Sequence, residues 1–128
     1  MEIKYNLIDT NILIYSMAGK DPYASYLRTI IEDASLALSS IVVAEFLSKS
    51  TEKEGQSLQL LIDEFPVFPV DTHVAIKAAI YRKAFLKKKI KLPLPDCLIA
   101  ATCFVNKCSL ATFNKSDYPM KDIKVVMF

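Results

Sequence analysis

Short apolar runs, each about the length of a strand, alternate along the chain with longer segments whose apolar residues recur every three or four positions. This alternation constrains the fold most, because strands separated by helices pair in parallel and bury both faces of their sheet. Tyr5–Ile8 reads as a buried strand that stops at Asp9. Leu36–Leu38, Val67–Val70, Leu110–Phe113 and Ile123–Met127 are further strand candidates. Pro69 places the third at a sheet edge, since proline cannot donate to a ladder. Between them the spacing predicts a helix over Asn11–Met17 and one opening at Asp21-Pro22, with Tyr26, Leu27, Ile30 and Ile31 on one face. A helix capped by Ser39 or Ser40, another over Leu58–Phe65, and a long one capped by Asp71 and running to about Lys89 follow. Asp96 opens the last, which extends to about Asn106. In such sheets ligands bind at the carboxyl ends of the strands, which is where chemistry is sought.

A chain of 128 residues is expected to form one domain over residues 1–128. At 52% hydrophobic it has material for a core, which excludes disorder. Three cysteines without a tight pair support neither a disulfide framework nor a Cys₄ zinc site, and Cys97, Cys103 and Cys108 read as small buried hydrophobes. One histidine, His73, excludes chemistry that needs several imidazoles; it reads as a surface residue near a helix start. Tyr23, Tyr26 and Tyr81 read as core or dimer-surface residues. No secretion signal is visible, and the longest apolar stretches, Ser40–Leu47 and Cys97–Val105, are too short for a bilayer, which needs about 20 residues. The expectation is a cytoplasmic protein with reduced thiols and no membrane partner. The net charge of +2 hides a segregation: residues 1–70 hold 5 basic and 10 acidic side chains, and residues 71–128 hold 11 and 4. One face is therefore free to meet a polyanion.

Four carboxylates fall where such a fold does its chemistry. Asp9 follows the first strand, and Glu45 stands among six apolar residues, where burial is costly unless it is paired or binds a cation. Asp96 begins a helix otherwise apolar for nine residues, and Asp117 follows the fourth strand. Separately, Asp9 and Asp96 read as helix caps and Asp117 as a turn residue. Together they converge, repel one another and require positive charge. No Lys, Arg or His flanks Asp9, Glu45 or Asp96 closely in sequence, so the expected occupant is a hard cation, Mg²⁺ or Mn²⁺. The residues alone point to metal-dependent phosphoryl chemistry.

Four segments, Leu7–Tyr15, Ser39–Phe46, Leu94–Thr102 and Leu110–Tyr118, resemble in order and spacing the PIN-domain family, and within it the VapC-type toxin ribonucleases. The resemblance implies a Rossmann-like three-layer α/β sandwich around a central, mainly parallel five-stranded sheet. It implies a Mg²⁺- or Mn²⁺-dependent endoribonuclease, the toxin of a type II toxin–antitoxin pair, in which metal-activated water attacks the phosphodiester. Asp9, Glu45, Asp96 and Asp117 would be the acidic set, with Asp9 and Asp96 the main ligands. Asn11, Thr112 and Asn114 match second-sphere or substrate-positioning groups. The implied partners are RNA, a small antitoxin protein and a second copy of the chain. Phe113 departs from the pattern, since many of these toxins carry a basic residue there.

Six positive charges between Arg82 and Lys91 (Arg82, Lys83, Lys87, Lys88, Lys89 and Lys91) read either as a solvated helix end that complements the helix dipole or as a contact for the RNA backbone. Two other acid-based phosphoryl sites fit less well. A phosphoaspartyl receiver needs an acid paired with Asp9 and a late Lys, and a haloacid-dehalogenase-like phosphatase needs an Asp where Asn11 stands. A catalytically silent PIN-like module that binds RNA or protein is the remaining alternative.

Overall fold

The computed structural model describes residues 2–128. Five strands form a sheet in the order β3-β2-β1-β4-β5: β1 (Tyr5–Ile8), β2 (Leu36–Ser39), β3 (Val67–Phe68), β4 (Cys108–Thr112) and β5 (Lys124–Met127). Every pairing is parallel, with Leu7 opposite both Ala37 and Leu110. Six helices connect the strands: α1 (Thr10–Met17), α2 (Tyr23–Glu32), α3 (Ser40–Leu47), α4 (Glu52–Glu64), α5 (Thr72–Lys87) and α6 (Leu94–Val105). The expected α/β sandwich with a five-stranded parallel sheet is thus the observed one. The strand order reverses at β1, which pairs with β2 on one side and β4 on the other. That makes the carboxyl end of β1 the switch point where a cleft opens.

Burial explains the apolar runs. Leu7, Ile8, Leu36, Leu38 and Leu110 are all within 1% of full burial. Burying each such side chain contributes about 1.5–3 kcal/mol. Helix α6 is apolar nearly all round because it is enclosed, and its small Ala100, Ala101 and Cys103 leave room for α5 to pack closely. Cys97, Cys103 and Cys108 are free and buried, Tyr81 is buried, and His73 is exposed. No helix among the described residues is long and apolar enough to cross a membrane.

The element boundaries differ in three instructive places. Helix α4 begins at Glu52, six residues before the expected start, because Thr51 and Glu54 form a reciprocal capping box there. Asp21 is not the cap of α2; Pro22 holds that position, and the Asp21 carboxylate accepts instead from the Ser25 N–H and hydroxyl. Asp96 does not open α6: the helix starts at Leu94 with Pro95 second, placing Asp96 in the first turn. Proline at the second helical position sacrifices no hydrogen bond, since early N–H groups lack intrahelical partners.

Candidate active site

Asp9 is fixed by both layers it joins. Its N–H donates to the Ala111 carbonyl at 3.1 Å, extending the β1–β4 ladder, and its Oδ1 accepts from the Ile12 N–H at 3.0 Å, capping α1. The cap and the pocket-lining roles therefore coexist in one side chain. Ser39 ends β2 and caps α3 by accepting from the Val42 N–H. That helix carries Glu45 one and a half turns on, where its Oε1 accepts a 2.6 Å hydrogen bond from the Thr10 hydroxyl of α1. Asp96 projects from the first turn of α6, and Asp117 closes a short 3-10 turn after β4. Four elements thus bring Asp9, Glu45, Asp96 and Asp117 to the lining of one cavity of about 290 Å³.

The electrostatics of this cavity are strained. Burial lifts the Asp96 carboxyl to about 6, and the charges of Asp117, Glu45 and Asp9 add to the effect. Burial also raises Asp9; the Thr112 hydroxyl and the Ile12 N–H pull it back only in part. Tyr118, 3% exposed in the cavity wall, is held far above the usual phenol range by burial and then by the four carboxylates, so its hydroxyl keeps its proton. Ion pairs among the described residues join Arg28 to Asp21 and Lys77 to Asp122, and none involves the four acids.

The donor set fits a hard divalent cation: all oxygen, anionic, mutually repelling and, among the described residues, in no ion pair. The carboxylates surround the space and do not close on one point, since no three acidic, His or Cys groups among the described residues make a ready metal cage. Mg²⁺ tolerates this, because it keeps several waters and takes only one or two carboxylates directly.

The other expected residues separate. Asn11 is exposed and lines the cavity. Thr112 is 1% exposed and acts on Asp9 from beneath. Asn114 accepts from the Ser116 N–H and hydroxyl, and so shapes the turn that carries Asp117. The basic run does not reach the cavity lining. Arg82, Lys83 and Lys87 line a separate groove with Leu94; Lys88 lies 5.5 Å from the Phe85 ring on another side; Lys89 and Lys91 are exposed beyond the helix.

Three cavity residues escaped the sequence reading. Lys49, four residues after Glu45, lines the cavity and corrects the expectation that no cation flanks the acids closely in sequence. It lies two residues past the end of α3 at Leu47, in the turn that follows, so helical spacing from Glu45 gave no signal of its position. Thr10 and Tyr118 each sit next to an assigned acid, but neighbours in sequence give no warning of a hydrogen bond across 35 residues or of burial in a polar turn.

Residues 7–123 match the PIN domain family. Ribonuclease VapC10 of Mycobacterium tuberculosis is 29% identical over 114 residues, which cover 89% of this chain and 86% of that protein. The crystal structure of VapBC2 from Rickettsia felis bound to a promoter DNA fragment superposes with a TM-score of 0.80 at 24% identity, covering 97% of this chain and 98% of that one. DNA-bound VapBC from Salmonella typhimurium gives 0.81 at 21% identity, with 98% of each chain covered.

Proposed function

The chain belongs to the PIN domain family, and on that premise we propose that it is a divalent-metal-dependent endoribonuclease, the toxin of a type II toxin–antitoxin pair. The observation that carries this reading is the convergence of four carboxylates, from four elements, on one cavity at the switch point of a parallel sheet, with no ion pair among the described residues to neutralise them. Asp9 and Asp96 would hold Mg²⁺ or Mn²⁺ directly, with Glu45 and Asp117 completing the acidic surround. When bound, the ion lowers the pKa of water and stabilises charge developing at phosphorus.

The chain's own residues supply orientation. Thr10 fixes one Glu45 oxygen by its 2.6 Å hydrogen bond. Asp9 is locked by the Ala111 carbonyl and the Ile12 N–H, so neither its backbone nor its carboxylate needs to reorganise. Thr112 supports Asp9 from the sheet, and Asn114 holds the turn of Asp117. Asn11 and Lys49, both exposed at the cavity, are placed to meet the RNA backbone, and Tyr118 keeps a neutral hydroxyl beside the acids. The Arg82–Lys91 cations recruit RNA at longer range.

Solved structures of similar fold include toxin–antitoxin complexes, which supports a small antitoxin protein as partner. Exposed Ile76 and Ile80 on α5 favour a homodimer, and three free thiols suit the cytoplasm.

The test is cleavage of a broad transcript pool in Mg²⁺ and in EDTA, by the wild type and by Asp9→Asn. The expected result is cleavage by the wild type in Mg²⁺ alone, with a loss of at least 100-fold, on the order of 3 kcal/mol, in the variant. Intact RNA in every lane would leave the chain as a PIN-like binding module.

A further inference from the structure

A second concavity, of about 380 Å³, is lined by Tyr15, Lys20, Tyr23 and Phe113. It continues from the acidic cavity along two elements. On α1, Asn11 lines the acidic cavity and Tyr15 the second one. Residues four apart lie on one helix face, about 6 Å along the axis. On the other side, Phe113 directly follows Thr112, the residue that supports Asp9. The Phe113 ring stands 5.1 Å from Tyr15 and 4.7 Å from Tyr23, the second contact edge-to-face. All three rings are only half-buried. The Lys20 ammonium lies 4.7 Å from the centre of the Tyr15 ring.

Packing accounts for part of this cluster. Tyr23 and Phe113 rest on the core, and Tyr23 also meets the ring of Phe128. Packing does not account for Tyr15 and Lys20, which extend the aromatic surface outward and put a positive charge on its rim. Partly exposed aromatic rings beside a cation are the elements of a stacking platform for unpaired bases. An apolar peptide side chain would use the rings but not the ammonium. A nucleotide uses both, its base on the rings and its phosphate near Lys20.

We propose that this groove holds a nucleobase of single-stranded RNA, next to the nucleotide whose phosphate lies at the carboxylates. The assignment deepens the ribonuclease reading and rests on it for the position of that phosphate. It makes Tyr15 and Phe113 determinants of where along a strand the acids act, through the need for an unpaired base beside the cut.

The experiment measures binding of short single-stranded RNA carrying one 2-aminopurine, and of the same strand with an abasic position. Every protein carries Asp96→Asn, which lowers the negative charge of the acidic cavity and keeps the strand intact under the proposed chemistry. The expected result is quenching of 2-aminopurine emission on binding. Tyr15→Ala and Phe113→Ala should each weaken binding of the intact strand on the order of tenfold and leave the abasic strand unaffected. Tyr15→Phe should retain the wild-type affinity. Phe113 touches the core, so thermal melts accompany its variant, and Tyr15→Ala carries the test if Phe113→Ala unfolds. Equal losses for intact and abasic strands, no loss, or no binding would overturn the proposal. A change of molecular mass with Tyr15→Ala, by light scattering, would also overturn it by showing that protein covers the groove. Cleavage by the wild type is scored separately: base-dependent binding without cleavage sinks only the nuclease, and cleavage without base dependence sinks only the subsite.

Discussion

Asp96 concentrates the electrostatic cost of the cavity, and its titration gives a measurable consequence. Its folded value of about 6 lies above the unfolded value of about 3.9. The folded state therefore binds this proton more tightly. The associated stability is fully present below about pH 4 and is lost as pH rises through about 6. Asp122, by contrast, is raised by burial but held below its usual value by hydrogen bonds from Tyr81 and Lys77, so its contribution is lost only as pH falls through the acid range. Asp96 is the acid whose raised value falls between pH 5 and 7.5, and the raised Asp9 shifts stability in the same direction. Metal-free protein should melt at lower temperature at pH 7.5 than at pH 5, and Asp96→Asn should abolish most of that difference. After discounting for partial exposure, the variant gains about 1 kcal/mol at pH 7.5, or about 3–5 °C. Added Mg²⁺ should stabilise the wild type and not the variant. Parallel melting curves for the two proteins from pH 5 to 8 would contradict this account. That the four acids line one cavity was legible in the sequence, because an isolated carboxylate in apolar company, or at a strand end, is costly without a purpose. Lys49, Thr10 and Tyr118 were not singled out, because their roles arise only when α1, α3 and the turn after β4 are brought together.

Local rules located the elements, and side-chain capping set their ends. Asp71 caps α5 as its position before Thr72-His73-Val74 suggests, accepting from the Val74 N–H at 2.9 Å. Pro69 does lie at the edge strand, although β3 is only Val67–Phe68 and the proline falls just after it. Helix α4 was half missed because its first turns are polar, with Leu58 as its only fully buried side chain; hydrophobic spacing finds a helix only where it meets the core. The signal that was present is Thr51-Glu52-Lys53-Glu54, the sequence form of a capping box. Thr51→Ala removes the acceptor for the Glu54 N–H and should cost about 1 kcal/mol in urea denaturation, with an unchanged denaturant slope. Thr51→Ser should recover most of it. A loss below about 0.3 kcal/mol would mean that α4 is held by Leu58 and its neighbours and not by its cap.

Across the whole molecule, charge is sorted against the reaction proposed for it. Among the described residues the cavity lining gathers four carboxylates and one basic residue, Lys49, while the six cations of the Arg82–Lys91 run spread over the end of α5 and past it. Such a separation lets RNA be attracted at a distance without a cation displacing a metal from the acids. It also sets how the cations should share the work. Each phosphate neutralised on a single strand steepens the dependence of log K on log salt by about 0.7. If Lys87, Lys88 and Lys89 all meet phosphates, their joint replacement by Gln flattens the slope by about 2. The structure favours a smaller change, because Lys88 turns toward Phe85 and the groove of Asp122, while Lys87 lines the groove with Arg82 and Lys83. One strand cannot follow both sides of α5 closely. Replacing Lys87 with Arg82 and Lys83 should therefore flatten the slope more than replacing Lys87, Lys88 and Lys89, with neither set altering the thermal melt by more than about 0.5 kcal/mol. The reverse order would assign RNA to the Phe85 side, and equal slopes for both variants and wild type would reduce the whole run to a solvated helix end.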